Sequence, residues 1–153
     1  MKPSRLVEGF PAYYFEELEV GMSGEHGRLI VQPDVASFAE LSGDYNPLHF
    51  SREYANTTVF GEPIVHGMLT ASLISTAIAC KMPGPGCIYV RQELRFKAPV
   101  KAGDYVTARA TVEALDPEKK RATLRTTCMV GDTLVLDGTA VIQVPSRELL
   151  AAE

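Results

Sequence analysis

Residues 67–82 read Gly-Met-Leu-Thr-Ala-Ser-Leu-Ile-Ser-Thr-Ala-Ile-Ala-Cys-Lys-Met, a helical stretch whose single charge is Lys81. A surface helix carries a charged face, so one that is apolar or small nearly all the way round is expected to be buried by a surrounding sheet. Pro83 and Gly84 stop it. The sheet is legible downstream, where from residue 88 the apolar period becomes two. Val106, Ala108, Ala110, Val112 and Ala114 form one strand face, with Thr107, Arg109, Thr111 and Glu113 on the other. Ala122, Leu124, Thr126, Cys128 and Val130 repeat the pattern, and so do Leu134, Leu136, Ala140, Ile142 and Val144. Asp116-Pro117-Glu118 and Gly131-Asp132 are the turns between them. One long apolar helix plus consecutive antiparallel strands predicts an α+β fold in which a sheet curls around the helix.

The first half of the chain is less regular. Tyr13 to Leu18 and Arg28 to Gln32 read as short strands, separated by Gly21, Gly24 and Gly27, with His26 exposed in that glycine-rich turn. Pro33-Asp34 looks like a helix start with Asp34 as N-cap, and Val35, Phe38 and Ala39 fall on one face. Gly43 suits the stop. Asp44-Tyr45-Asn46-Pro47-Leu48-His49 follows, and Pro47 biases Asn46 away from helical dihedrals, which makes this an ordered turn. Ser51 caps a second short helix through Ala55.

Composition narrows the function. At 153 residues, without a long linker, low-complexity stretch or repeat, residues 1–153 are expected to form a single domain. Fifteen Lys and Arg against 19 Asp and Glu, a net charge of −4, argue against a nucleic-acid partner. No apolar run approaches a membrane span, and Met1-Lys2-Pro3-Ser4-Arg5 is not followed by the apolar core of a secretion signal. The expectation is a soluble, cytoplasmic protein with no membrane contact. Cys80, Cys87 and Cys128 lack metal-ligand spacing and read as small buried hydrophobes. Gly84-Pro85-Gly86 follows a helix instead of opening one, so it is no phosphate-binding loop.

Phe38-Ala-Glu-Leu-Ser-Gly-Asp-Tyr-Asn-Pro-Leu-His49, with Ala55 six positions on, resembles the hydratase motif of the MaoC-like (R)-specific enoyl-CoA hydratase/dehydratase family. Pro63-Ile-Val-His-Gly-Met-Leu69 and the region from Gln92 to Asp104 resemble the start of that family's central helix and one of its strands, so the likeness spans residues 30–144. The resemblance implies a hot-dog fold and the reversible hydration of a (2E)-enoyl-CoA to a (3R)-3-hydroxyacyl-CoA. That reaction needs a base to take a proton from water and an acid to give one to carbon, and imidazole does this near neutral pH. By resemblance, Asp44 and His49 are the dyad and Asn46 orders the water or the loop. The Gly67 amide, at a helix N-terminus, is the oxyanion donor. His66 is expected to fix the helix entrance through a hydrogen bond, and Ser75 either lines the site or bonds back along its helix.

No cofactor is expected; coenzyme A enters as part of the substrate. Arg91, Arg95 and Lys97 share a strand face with Glu93, which either meets the CoA phosphates or is simply solvated. No metal is expected on Asp44, His49 and His66, for want of a helical i, i+4 ligand pair. Such folds pair two sheets into one, which predicts a homodimer. Two alternatives compete with this reading. A hot-dog thioesterase would need a carboxylate near the central helix, and residues 67–82 contain none. A non-catalytic acyl-thioester-binding partner subunit would be expected to lack one of Asp44 and His49.

Overall fold

A computed structural model of the chain describes residues 2–150. Two three-residue strands, β1 (Arg5–Val7) and β2 (Phe10–Ala12), form a hairpin ahead of the main sheet. Then come β3 (Ser23–Leu29), α1 (Gln32–Ser42), α2 (Arg52–Ala55) and α3 (Gly67–Thr76). Four long strands follow, β4 (Ile88–Phe96), β5 (Tyr105–Asp116), β6 (Arg121–Val130) and β7 (Thr133–Gln143), and α4 (Arg147–Leu150) closes the order. The main sheet is antiparallel throughout, in the order β3-β5-β6-β7-β4. The expected α+β architecture is present: α3 packs on β3, β5 and β6.

Alternation on the sheet explains how the helix fits. Val106, Ala108, Ala110 and Val112 of β5, Ala122, Leu124 and Cys128 of β6, and Leu136, Ala140 and Ile142 of β7 are all buried. They face Leu73, Ile74 and Ile78 from the helical segment. Four of these sheet positions are alanine, so bulky helix side chains sit against a thin sheet surface. Gly24 makes the same accommodation on β3. A Cβ there would lie 2.9 Å from Met82 Cβ and 3.0 Å from the Ala77 carbonyl.

Several sequence expectations need correction. Tyr13–Leu18 is not a strand: Phe15–Glu17 is a single 3₁₀ turn, with Glu17 accepting the Tyr14 N–H at 2.7 Å. The next strand starts earlier than Arg28 and contains Gly24 and Gly27, because those glycines serve close approach and not chain reversal. His26 is therefore a half-buried strand residue opposite Ala108, and burial together with Lys81 and Arg28 lowers its pKa. The helical segment is α only to Thr76; Ala77–Lys81 widens into a π turn that faces Gly24. Nor is it buried all round within one chain, since Met68, Ser72, Ser75 and Ala79 form an exposed stripe. Ala114 leaves the inner face because a bulge between Val112 and Ala114 shifts the alternation, and it is exposed. Of the cysteines only Cys128 is fully buried, Cys80 and Cys87 being half-buried. Among the described residues no helix is long and apolar enough to cross a membrane.

The N-cap of α1 is Val31 and not Asp34. Asp34 stands at the third helical position and accepts the Val31 N–H at 3.0 Å, and Arg28 donates to its other oxygen at 2.6 Å. The Arg28 hydrogen bond and then the Val31 amide hold its carboxyl below the ordinary 3.8. A lowered carboxylate pKa adds stability that is full above the unfolded value and is lost as pH falls through the folded value. Asp34→Ala is therefore expected to cost about 1 kcal/mol at neutral pH, read by urea denaturation. The gap from wild type should close as the pH is taken below 3.8.

Candidate active site

Helix α1 ends at Gly43, whose φ of 81° is the left-handed C-cap conformation, and its N–H returns to the Ala39 carbonyl at 2.8 Å. The chain then folds on its own side chains. Asp44 Oδ1 accepts the Asn46 N–H at 3.1 Å, and Asn46 Oδ1 accepts the Leu48 N–H at 3.0 Å. These two Asx turns, with Pro47 as the first residue of a 3₁₀ turn over Pro47–His49, leave the segment little freedom. They bring His49 back beside Asp44.

His49 is 7% exposed, and its Nδ1 donates to the Ile64 carbonyl at 2.8 Å. A carbonyl only accepts, so the neutral ring carries its proton on Nδ1 and presents a lone pair at Nε2. That lone pair faces Asp44 Oδ2 at 3.9 Å. The separation is too long for a direct hydrogen bond, and a water about 2.8 Å from each atom reaches both. The Asp44 side chain is 48% exposed, so one end of the pair is open to solvent and the other is sealed.

His66, 2% exposed, stands behind them. Its Nε2 donates to the Asp44 carbonyl at 2.9 Å, and its ring stacks on His49 with centroids 3.8 Å apart. Phe38 of α1 covers its far side at 4.8 Å. The expected hydrogen bond from His66 exists, and it holds the Asp44 turn against the start of α3. One residue on, the Gly67 N–H is the first amide of α3 and makes no hydrogen bond among the described residues, as helix geometry requires.

Gly67 opens on a cavity of about 320 Å³ between α3 and the strand ends, walled by Ile64, Val65, Val100, Val135 and Leu136. Phe96, Lys97 and Thr70 also line it. The glycine does more there than admit a ligand. A Cβ on it would stand 2.7 Å from the Phe96 ring, so the two residues share one space.

Residues 16–135 match the family model for the MaoC like domain. The chain belongs to the MaoC-like family. It is 50% identical over 135 residues to an (R)-specific enoyl-CoA hydratase of Rhodospirillum rubrum, covering 88% of this chain and 94% of that one. A 3-hydroxybutyryl-CoA dehydratase of Methylorubrum extorquens is 48% identical over 135 residues, covering 88% and 86%. Among solved structures, the (R)-hydratase from Aeromonas caviae involved in PHA biosynthesis superposes with a TM-score of 0.81 at 46% identity, covering 85% of this chain and 99% of that one.

The MaoC-like motif thus brings Asp44, His49 and His66 together, with Gly67 adjoining. It does not bring in every residue named from the sequence. Asn46 faces its own loop as a cap and is exposed. Ser75 lies on the exposed stripe of α3, two turns from Gly67, and is neither buried nor bonded back along the helix as a buried serine would be. Of the three cations read on one strand face, Arg91 is exposed, and Arg95 lies among Glu93, Glu113, Arg125 and Asp137 on the side of the sheet away from α3. Lys97 lies beyond the end of β4 and alone of the three reaches the cavity.

The three residues considered from the sequence as a metal set do lie together: the ligating atoms of Asp44, His49 and His66 are within 4.8 Å of one another. Two of the four imidazole nitrogens are already committed to carbonyls, and the two rings pack with centroids 3.8 Å apart at a 31° tilt. Phe96 and Thr70 escaped sequence reasoning, because a strand-end aromatic and a mid-helix threonine look like ordinary packing. The hydrogen bonds fix both tautomers. Long-range ¹H–¹⁵N correlation spectra should show neutral His49 protonated on Nδ1 and neutral His66 on Nε2. The opposite tautomer at either ring would contradict this geometry.

Proposed function

We propose that this chain is an (R)-specific enoyl-CoA hydratase, adding water reversibly and syn to a (2E)-enoyl-CoA to give the (3R)-3-hydroxyacyl-CoA. The observation that carries the proposal is the His49 Nε2 lone pair, fixed by the Ile64 carbonyl and facing the Asp44 carboxylate at 3.9 Å. A water between them loses a proton to the dyad as its oxygen bonds to the β-carbon. The electron pair of the double bond moves toward the thioester oxygen, and the dyad returns a proton to the α-carbon. Both transfers come from one short segment, so both reach the same face of the double bond. The free Gly67 N–H, at the positive end of α3, is a suitable donor to the thioester oxygen as charge builds there. The apolar cavity beside it suits an acyl thioester, and coenzyme A is part of the substrate. The names of the close relatives, a hydratase and a dehydratase, support the reaction in both directions.

The working form is a homodimer. Strand β4 is a sheet edge that exposes Ile88, Tyr89, Val90 and Phe96, and an uncovered apolar edge is a site for pairing. The open stripe of α3 and the half-exposed Asp44 leave further surface for a second copy to cover. Sedimentation velocity at micromolar concentration is expected to give a dimer; a stable monomer contradicts this reading.

The decisive assay is hydration of crotonyl-CoA, followed by loss of the conjugated-thioester absorbance. The product should be oxidised by an (R)-specific and not by an (S)-specific 3-hydroxyacyl-CoA dehydrogenase; the reverse result refutes the stereochemistry. Asp44→Asn and His49→Ala should each lower turnover on the order of 10²- to 10⁴-fold. Because one water serves both groups, the double variant should be little worse than either single. Near-wild-type turnover in a folded single variant would defeat the dyad.

A further inference from the structure

One buried polar group in the cavity has no role so far. Thr70 lies one turn after Gly67 in α3, is 3% exposed and lines the same cavity. Its Oγ1 is fully buried and has no hydrogen-bond partner. A helical threonine ordinarily places its hydroxyl on the carbonyl three or four residues back. Here the His66 carbonyl accepts the Thr70 N–H at 3.2 Å, and the hydroxyl makes no bond to that oxygen or to any other. Apart from Lys97 and Thr70 itself, the side chains that line the cavity are hydrocarbon.

A buried hydroxyl without a partner is costly, and valine would fill the same volume without that cost. A threonine in such a place is therefore explained by a partner that arrives with the ligand. Direction supports this. Side chains on a helix tilt toward its N-terminus, so a side chain at position 70 leans over the turn that Gly67 begins. Positions three apart lie on one face of a helix, a turn from each other, so the Gly67 N–H and the Thr70 hydroxyl can converge on one oxygen.

We infer that the Thr70 hydroxyl donates a hydrogen bond to the thioester carbonyl oxygen, as a second donor beside the Gly67 N–H. This rests on the hydratase reading of the site. As the water oxygen bonds to the β-carbon, the double-bond pair forms an enolate whose charge gathers on that oxygen; returning the proton to the α-carbon removes it. A donor placed there acts on the charged state more than on the bound substrate, so its loss appears in kcat.

The test compares wild type, Thr70→Val and Thr70→Ser with crotonyl-CoA, together with thermal melting of each protein. Thr70→Val should lower kcat by about 10²-fold, the scale for one oxyanion donor, with KM changed little and Tm unchanged or raised. Thr70→Ser keeps the hydroxyl and should recover most of the turnover. A Thr70→Val protein with wild-type kcat/KM overturns the inference, as does a Thr70→Ser protein equally impaired. A fall in Tm for Thr70→Val that accounts for its lost activity overturns it too, by making the hydroxyl structural. If the wild-type protein hydrates no enoyl-CoA, it is the hydratase reading that fails. An active wild type matched by Thr70→Val defeats the role of Thr70 alone.

Discussion

The site depends on one ring. His66 closes the loop before α3 and, through its Nε2, grips the main chain of Asp44, 22 positions earlier. Its face supports His49, and Phe38 of α1 backs it from the other side. The end of α1, the Asp44–His49 turn and the start of α3 are thereby tied at a single buried point. A carboxylate on a loop would otherwise wander by more than the ångström that proton transfer tolerates. The long apolar helix thus does two things, filling the sheet and carrying the fixed post against which the turn is set.

The architecture was legible in the sequence because two periodicities, helical in 67–82 and alternating from 88, are physical consequences of burial. The places where reading failed share a cause. Gly24 and Gly27 resemble turn residues in sequence, yet they lie within a strand because a neighbour comes close, and closeness belongs to the partner element. The bulge after Val112 moves Ala114 outward without leaving a mark in the alternation of residue types. Asp34 is a capping group, but it acts from N3 and not from N-cap: its carboxylate accepts the N-cap N–H of Val31, the reciprocal of the bond that an N-cap side chain makes.

The site was legible to a different degree. Asp44, Asn46, Pro47 and His49 are close in sequence and shape one another, so their turn could be read directly. The Ile64 carbonyl that orients His49 and the His66 nitrogen that holds Asp44 are tertiary contacts, and no spacing rule contains them. Ser75 shows the converse: resemblance and a helix expected to be buried all round suggest an interior position, whereas the structure sets it on the open stripe with Met68, Ser72 and Ala79.

The groups that orient both histidine rings are main-chain carbonyls, those of Ile64 and Asp44. In many proton-handling sites a side-chain carboxylate does this work, and a single substitution can abolish it. A carbonyl survives any change of the side chain it belongs to. Ile64 also contributes its side chain to the wall of the cavity, so one residue serves two purposes through separate atoms. Drift at that position can reshape the space offered to a ligand while the imidazole stays in register. Selection on what the cavity accepts is thereby uncoupled, at this residue, from selection on how the proton moves.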